Sequence, residues 1–414
     1  MGMSNGWPKK PGRKKTPRIK PNEVRGARYL RNILELLKDL RSHRDCPNRL
    51  LHYDEYVAYV LLYFFTPVVT SLRGLQQVSD FEVVHRKLGL PRFSLGSFSE
   101  ASRVFDPTLL QSILANIVGQ LSALQDNPRL SGLDLALTAV DGTLLRALPK
   151  MLWALWLSPE QRAAKMHLEF DILKGAPAFA TITEGNGNER TVLRDHLSAG
   201  KLYVLDAGYV DYGLAAAIIE ARSSFVMRLR ENAVYEVLEE RPLTPAAERA
   251  GVRRDCVIRL GGPQTPDLHN HLLRLVEVHI PAPAPRPGLH PKWTVDRKTQ
   301  RVRALPGEHT LVLLTDLLGL EAELIAEIYR SRWQIEIFFR WFKKVLHADH
   351  LLSLCENGVT LVAYCALIAS LLVTLWTGRK PTKRTYELIC FYFLGWIGED
   401  ELVAHLESLE PATA

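Results

Sequence analysis

The chain has 414 residues, of which 47% are hydrophobic and 23% are charged, a composition typical of a soluble globular protein. Its length is sufficient for a large core and for two or three domains. The five cysteines are an odd number with no Cys-x-x-Cys pair, so a disulfide framework and a zinc site are not indicated, and a cytoplasmic location is expected.

Positive charge is concentrated at the N-terminus. Residues 1–28 hold nine Lys or Arg and one Glu, a local net charge of +8 in a chain whose total is +7. The remaining residues are therefore close to neutral. A basic segment interrupted by prolines cannot bury enough apolar surface to fold alone, so we predict a disordered basic tail over residues 1–28. DNA is the natural polyanion for such a tail, although a purely solubilising role is an open alternative.

Residues 29–130 are predicted to be helical and to form a DNA-binding region. Apolar spacing typical of helices occurs at Tyr29–Leu40, Tyr53–Phe65, Asp80–Leu88 and Pro107–Leu124. The segment SLGSFSEASRVF, residues 94–105, could open a helix-turn-helix that contacts phosphates, or could be a polar loop with a helix cap.

Short strands replace helices over residues 131–232. The predicted strands are Leu135–Val140, His167–Ile172, Ala178–Thr183, Leu202–Leu205 and Phe225–Leu229, and helical stretches at Thr191–Ala199 and Tyr212–Ala221 separate the later ones. Three strands followed by helix, strand, helix and strand is the order of a ribonuclease-H-like fold. The predicted fold class is therefore α/β.

The rest of the chain is divided by a β-rich insertion. Residues 233–308 contain alternating segments typical of strands and the extended linker PAPAPRPGLHP. Residues 309–350 then return to the core with one strand and one long helix, Leu320–Leu346. Residues 351–414 are predicted to be helical. Within them, the uncharged run Val359–Trp376 meets the minimum length of a membrane span, but a buried helix behind the core is the better explanation.

Three acidic residues stand out along this plan. Apolar runs that are typical of buried strands end at Asp141 and at Asp206. The third acid is Glu336, on a predicted helix that also carries Tyr329, Arg332 and Lys343 within an arc of about 60°. Each Asp alone is more often a turn or cap residue, and the helix alone could be an amphipathic helix with a solvated face.

Taken together, VDGT at 140–143, LDAGY at 205–209 and the helix beginning at Tyr329 resemble the DDE transposases of the insertion-sequence-four type. The helix matches the Tyr-x2-Arg-x3-Glu-x6-Lys signature of that type with Tyr329, Arg332, Glu336 and Lys343. The resemblance covers roughly residues 90–390. It implies a ribonuclease-H-like catalytic core with a β-rich insertion, flanked by N- and C-terminal helical regions.

The same resemblance implies Asp141, Asp206 and Glu336 as catalytic residues that bind two Mg²⁺ or Mn²⁺ ions. Hard cations prefer oxygen ligands, and a metal pair can activate a nucleophile and neutralise a leaving oxygen on a phosphodiester. The expected reaction is cleavage of transposon ends followed by transfer of the 3′-hydroxyl into target DNA. Glu169 and Asp171 are alternative carboxylates. A protein that only binds DNA ends, and a nuclease of the same fold without strand transfer, are alternative functions.

Basic residues near these acids are candidate contacts to double-stranded DNA. Lys343 and Arg332 are predicted phosphate clamps and Tyr329 a stacking or hydrogen-bonding contact, while a salt bridge from Arg332 to Glu336 is the alternative in the metal-free protein. Further candidates are Arg340, Lys344, Arg228 and Arg230; the last two could equally lie on an exposed strand edge. Because two DNA ends must be paired, a homodimer is expected on DNA.

Overall fold

The computed structural model describes most of the chain. The described residues are 49–82, 84–85, 89–124, 127–147, 150–156, 158, 161–229, 233–260, 270–281, 294–295, 302–303 and 309–409, with positions 37, 40 and 268. The predicted basic tail, residues 1–28, and Arg230 lie outside these ranges.

Helices occupy both ends of the described chain, and strands occupy its middle. The helices are α1 (Tyr53–Phe65), α2 (Leu72–Ser79), α3 (Leu95–Val104), α4 (Thr108–Gln120), α5 (Pro128–Ser131), α6 (Glu189–Asp195), α7 (Tyr212–Glu220), α8 (Pro245–Arg249), α9 (Ala322–Ser331), α10 (Trp333–Lys344), α11 (Glu356–Thr377), α12 (Lys383–Phe393) and α13 (Glu399–Ser408). The strands are β1 (Ala136–Arg146), β2 (Ala163–Asp171), β3 (Ala176–Glu184), β4 (Lys201–Leu205), β5 (Ser224–Arg228), β6 (Tyr235–Glu240), β7 (Val252–Leu260), β8 (Leu273–Ile280), β9 (Thr294–Val295), β10 (Val302–Arg303) and β11 (His309–Thr315).

Nine of these strands form one mixed sheet in the order β3-β2-β1-β4-β5-β11-β8-β7-β6. Strands β1, β2 and β3 are antiparallel neighbours, whereas β4 and β5 run parallel to β1. The remaining strands continue antiparallel beyond β5. The protein is therefore a mixed α/β fold around one large sheet, as the sequence pattern predicted.

Side chains of the central strands alternate between two apolar cores on opposite faces of this sheet. In β4, Leu202 and Val204 belong to the core that contains α9, α10 and α11, and Tyr203 and Leu205 belong to the core that contains α6 and α7. This alternation follows from the two-residue period of a strand. The same period decides which face receives each polar residue at the strand ends.

Two local predictions need correction. Strand β1 does not end at Asp141; it continues to Arg146, because residues 142–146 pair with β2. The predicted helix Leu320–Leu346 is instead two consecutive helices that meet at Arg332, whose φ of −53° and ψ of −34° remain helical.

The segment 94–105 is a helix capped by Ser94, whose hydroxyl accepts from Ser97 N at 3.0 Å.

The β-rich segment between β5 and β11 extends the central sheet and also holds the entrance of α9. Arg274 of β8 forms a bidentate ion pair with Asp255 of β7, at 2.8 and 2.7 Å, and both side chains are buried. The same guanidinium donates to the carbonyls of Leu318 and Leu320, immediately before α9. The insertion thus fixes the loop that leads into the two consecutive helices.

Helix α11 is long and apolar enough to cross a membrane, but it lies in the core. Of its most apolar window, 94% is buried inside the protein. It packs against β3 and against α1, α3 and α4. This placement agrees with the core helix expected for Val359–Trp376, and length and apolarity alone are weak evidence for a span.

Candidate active site

Asp141 and Asp206 are brought together by the parallel pairing of β1 and β4. Ala139 of β1 lies opposite Val204 of β4. Along the chain, Asp141 follows Ala139 by two residues, and Asp206 follows Val204 by two residues. Both acids therefore share the sheet face of Ala139 and Val204, which is the face covered by α9 and α10. Asp206 also caps a 3-10 turn, since its Oδ1 accepts from Gly208 N at 2.7 Å.

The junction of α9 and α10 supplies the cation of this site. Arg332 donates from Nη2 to Glu336 Oε1 at 2.6 Å, and its guanidinium lies 6.0 Å from the centre of the Tyr329 ring. The other terminal nitrogen, Nη1, is buried and has no hydrogen-bond partner within the described structure. The salt bridge foreseen as the alternative for Arg332 is therefore present. A buried donor without an acceptor is costly, and an anionic oxygen would satisfy it.

Burial controls the electrostatics of Asp141. Loss of solvation raises the pKa of this carboxyl to about 6. Two effects act in the other direction and lower the pKa: the hydrogen bond that Gly142 N donates to Asp141 Oδ1 at 2.8 Å, and the positive charge of Arg332. The neighbouring carboxylates of Asp206 and Glu189 raise it further. A carboxylate in this environment favours a nearby cation.

The predicted basic contacts divide into three kinds of position. Arg228 lies at the end of β5, on the face of Val226, where its charge acts on Tyr329. Lys343 is half-buried and donates from Nζ to Leu144 O of β1 at 2.6 Å, and burial lowers its pKa. Arg340 and Lys344 are exposed on α10. The DNA contacts assigned to these residues stay predictions.

A fourth carboxylate at the site, Glu189, was missed by the sequence analysis. It opens α6, and its Oε1 lies 3.3 Å from Lys165 Nζ of β2. Its carboxylate also lies against Gly142, where a Cβ atom would approach Oε1 to 2.6 Å. The predicted helix began two residues too late. Asn188, whose Oδ1 accepts from Arg190 N at 3.0 Å, is the N-cap signal that would have found the helix start.

Gly142→Ala tests this close approach. The new methyl group should displace the Glu189 carboxylate, separate it from Lys165, and cost about 1 kcal/mol of unfolding free energy by overpacking. Denaturant unfolding measures the change. Gly119→Ala is the control, because Gly119 lies in α4 and nothing beyond its chain neighbours and its own turns of helix backbone lies within 4 Å of the place its methyl group would take. The substitution should stabilise by up to about 1 kcal/mol. Equal effects of the two substitutions would contradict the proposed crowding.

The two alternative carboxylates are used elsewhere. Glu169 is buried and accepts from Lys201 Nζ at 2.5 Å. Asp171 Oδ1 accepts from the backbone N of Lys174 at 2.8 Å. Both therefore have local partners on their own part of the sheet, whereas Asp141 and Asp206 face α9 and α10.

The donor atoms at the site suit a hard divalent cation, since they are carboxylate oxygens and include the half-buried Asp141. They do not form a ready cage: among the described residues, no three His, Cys, Asp or Glu side chains are grouped closely enough to hold an ion. Glu336 is paired with Arg332, and Arg332 and Asp206 both act electrostatically on Asp141.

Residues 133–372 match the family model described as "Transposase DDE domain". The match spans more than half of the chain and includes all three acids, so the protein belongs to the transposase DDE domain family. Among curated relatives, it is 31% identical to the putative transposase y4zB of Sinorhizobium fredii over 52% of this chain and 53% of that protein, so it spans only about half of that relative.

Two further comparisons are more extensive but more distant. The chain is 24% identical to the probable transposase for insertion sequence element IS5377 of Geobacillus stearothermophilus, over 73% of this chain and 72% of that protein. A cryo-EM structure of a piggyBac transposase synaptic complex with hairpin DNA aligns with a TM-score of 0.37 and 11% identity, over 95% of this chain and 85% of that one. That structural likeness is too low to support a statement about this protein.

Proposed function

We propose that this protein is a DNA transposase of the insertion-sequence-four type that cleaves transposon ends and joins the freed 3′-hydroxyl to target DNA. The observation that carries the proposal is that Asp141 on β1 and Asp206, directly after the adjacent parallel strand β4, share the sheet face covered by the helices that hold Arg332 and Glu336. The strand order β3-β2-β1-β4-β5, with the first three strands antiparallel, supports a ribonuclease-H-like core.

In the first step the oxygen of a water molecule attacks phosphorus and gives up a proton, while the bond from phosphorus to the 3′-oxygen breaks and that oxygen takes a proton. The products are a 3′-hydroxyl and a 5′-phosphate. In the second step the new 3′-hydroxyl attacks a target phosphodiester in the same way. Arg332 suits the role of a phosphate clamp, because Nη1 is a buried donor without an acceptor in the described structure. The charges of Arg228 and Asp206 both act on Tyr329, so the three side chains lie in the same part of the site. Tyr329 and Arg228 would hold the DNA strand.

Asp141, Asp206 and Glu336 would hold Mg²⁺ or Mn²⁺, two ions per site. Such ions supply the charge that activates the attacking oxygen and stabilises the leaving one. Arg332 is bound to Oε1 of Glu336, so Oε2 is the oxygen that would be offered to an ion. The guanidinium would then remain in place between Glu336 and a bound phosphate.

The proposed partners are double-stranded DNA, at the transposon ends and at the target, and a second copy of the chain when two ends are paired. The transposase relatives and the basic residues around the site support DNA as the partner. We also propose that the protein acts in the cytoplasm.

Glu336→Gln tests the function. In labelled DNA that carries the ends of the element, the variant should lose Mg²⁺-dependent cleavage by about a hundredfold or more, because a neutral amide is a much poorer ligand for a hard cation. Binding to the same DNA, measured without divalent ions, should change little. Exposed Glu407, far along the chain in α13, gives the matched control Glu407→Gln. Undiminished cleavage by Glu336→Gln would refute the assignment.

A second candidate function is DNA-end binding without cleavage. It is favoured by the pairing of Glu336 with Arg332 and by the lack of a three-acid metal group in the described part of the chain. A Mg²⁺ titration of the wild-type protein on labelled ends distinguishes the two. Cut ends with joined products support the transposase, cut ends alone indicate a nuclease, and bound but uncut DNA indicates the binding protein.

A further inference from the structure

A small cavity lies between helix α6 and the central sheet, on the sheet face opposite α9 and α10. Side chains of β1, β2, β3, α6 and the turn after β4 line it, among them Val140, His167, Thr181, Glu189 and Tyr209. It offers about 10 Å³ to the centre of a water-sized sphere. That space is close to the least that one water molecule needs. We call it the α6 cavity.

Three buried polar atoms of this lining have no hydrogen-bond partner within the described part of the chain. They are His167 Nδ1, Thr181 Oγ1 and Tyr209 OH. His167 is 5% exposed and Tyr209 is 1% exposed, so bulk water does not solvate these two side chains. A polar group that is buried and unpaired is costly, and three such atoms around one small space indicate a partner that they share.

The hydrogen bonds around His167 define which partner its ring needs. The hydroxyl of Thr183 donates to Glu184 O at 3.0 Å, so Thr183 Oγ1 accepts the bond from His167 Nε2 at 2.9 Å. His167 therefore carries its proton on Nε2, and Nδ1 is an acceptor. Loss of solvation lowers the pKa of His167 to about 4, which keeps the ring neutral at neutral pH.

Thr181 and Tyr209 supply the complementary groups, since each hydroxyl has one proton to donate. Burial raises the pKa of Tyr209 well above its ordinary value, so this hydroxyl stays protonated. A buried water molecule can accept two hydrogen bonds and donate two. One water molecule can thus accept from both hydroxyls and donate to His167 Nδ1. Its second proton is available to the carboxylate of Glu189, which lines the same cavity.

The α6 cavity adjoins the segments that carry two of the candidate metal ligands. Tyr209 is the last residue of the 3-10 turn that Asp206 caps, and its backbone N donates to Asp206 O at 3.2 Å. His167 lies opposite Gly142 in the pairing of β1 with β2, and Gly142 directly follows Asp141. A partner held by both Tyr209 and His167 therefore ties the turn of Asp206 to the strand beside Asp141.

We propose that the α6 cavity binds one resident water molecule through His167, Thr181 and Tyr209, and that this water makes Tyr209 a positioning residue for Asp206. The water fixes the hydroxyl of Tyr209, and the anchored ring holds the short turn, so the Asp206 carboxylate keeps one orientation. Outer partners of this kind typically contribute about tenfold to a hundredfold in metal affinity. The benefit to metal binding rests on the proposed function, whereas the water and its effect on the turn do not.

Hydrogen exchange of the turn tests the positioning role without metal or DNA. The amide of Gly208 donates to Asp206 Oδ1 at 2.7 Å, so its exchange rate reports how firmly the carboxylate is held. In the full chain in EDTA, Tyr209→Phe should raise the exchange rate of this turn by about fivefold, the factor expected for one lost hydrogen bond. Mass spectrometry of peptides that cover residues 206–211 measures the rate.

Thr181→Val shows whether a water molecule transmits the effect. Thr181 lies on β3 and has no hydrogen bond to the turn in the described structure, so its hydroxyl can act on Asp206 only through a shared partner. This variant should also raise the exchange rate of the turn, by about twofold or more, and should add little when combined with Tyr209→Phe. Tyr386→Phe is the control, because it removes another buried hydroxyl, which donates to Phe64 O, and should leave the turn unchanged. Thermal melting verifies that each variant is folded.

A crystal structure of the wild type should show an ordered water molecule within about 3 Å of His167 Nδ1 and of the Thr181 and Tyr209 hydroxyl oxygens. A direct hydrogen bond between two of these side chains, with no water between them, would overturn the inference. Unchanged exchange in Tyr209→Phe would do the same, and so would fully additive effects in the double variant.

Binding of Mn²⁺ connects the result to the proposed function. Calorimetric titration without DNA should show about tenfold weaker Mn²⁺ binding in Tyr209→Phe than in the wild type, and equal affinities would refute the positioning role. A wild type that binds no Mn²⁺ counts against the proposed function, while the exchange result still decides this inference. A protein that cuts DNA without the coupled change in exchange keeps only the function.

Discussion

Asp141→Asn is expected to stabilise the protein at neutral pH while lowering DNA cleavage by about three orders of magnitude, the equivalent of about 4 kcal/mol of transition-state stabilisation. Activity is lost because the amide cannot carry the negative charge that a divalent cation requires. Stability rises because the carboxylate is half-buried, and loss of solvation raises its pKa to about 6 in the folded state, against the ordinary 3.8. The two effects have opposite signs and a single cause.

The sign of the pH dependence follows from that raised pKa. Between about pH 4 and pH 6 the folded protein binds more protons at Asp141 than the unfolded chain does, so the unfolding free energy falls as the pH rises through this window. A shift of about two pK units corresponds to roughly 3 kcal/mol. Above about pH 6, Asp141→Asn should therefore be more stable than the wild type by up to about this amount, and the difference should shrink toward about pH 4.

Denaturant unfolding from about pH 4.5 to about pH 8 in EDTA, chosen to span the window of about two pK units, measures the difference. Asp134→Asn, which alters an exposed carboxylate just before the same strand, is the control and should remain within about 0.5 kcal/mol of the wild type. A wild-type protein that is as stable as Asp141→Asn at the alkaline end of this range would show that the carboxylate is not destabilising in the fold.

Breaking the buried ion pair between the insertion and the core is the second large effect. Arg274→Ala leaves Asp255 charged and buried without its bidentate partner, and it removes the donor to the carbonyls of Leu318 and Leu320. The expected cost is about 3 to 5 kcal/mol of unfolding free energy, the range for removing one member of a buried pair. Denaturant unfolding measures it.

A double variant separates stability from positioning. Arg274→Met with Asp255→Leu replaces the pair by apolar groups, and such replacements are often neutral or stabilising. The unfolding free energy should recover to within about 1 kcal/mol of the wild type. DNA cleavage should stay below that of the wild type, because no guanidinium then fixes the loop before α9. Full recovery of cleavage would show that the ion pair only stabilises the fold.

The exposed pair Arg259 and Glu236, 3.6 Å apart on β7 and β6, offers the control Arg259→Ala, which should cost less than about 1 kcal/mol.

The sequence predicted the elements well where a local period decides the structure. Strands β2, β3, β4 and β5 lie within a few residues of their predicted positions, because alternating or continuous apolar side chains are a property of each segment alone. The helix that carries Glu336 is amphipathic, with Ile335 and Phe342 fully buried. Four spaced residues and two short motifs predicted a DDE transposase, and the family comparison confirmed that family. The insertion-sequence-four type and its signature stay predictions.

The errors arose where distant segments decide the structure. Strand β1 passes through Asp141 because residues of β2 pair with it, and nothing in the short segment Gly142–Arg146 taken alone indicates that partner. Glu189 reaches the site because Gly142, far from it in sequence, leaves room for a carboxylate. The interruption at Arg332 has no Pro or Gly to mark it. Each of these features depends on tertiary contacts, which single-segment propensities do not encode.

The position of β11 has a consequence for how modular this protein is. Strand β11 pairs with β5 on one side and with β8 on the other, although residues of the insertion separate β5 from β11 in the chain. Excising the insertion would leave β11 as an unprotected sheet edge, which invites pairing with other molecules. Such non-local pairing also delays sheet completion until late in synthesis. The insertion is consequently not a detachable accessory that can be exchanged between relatives, and a domain-swapping strategy that cuts at its two ends would yield an aggregating protein.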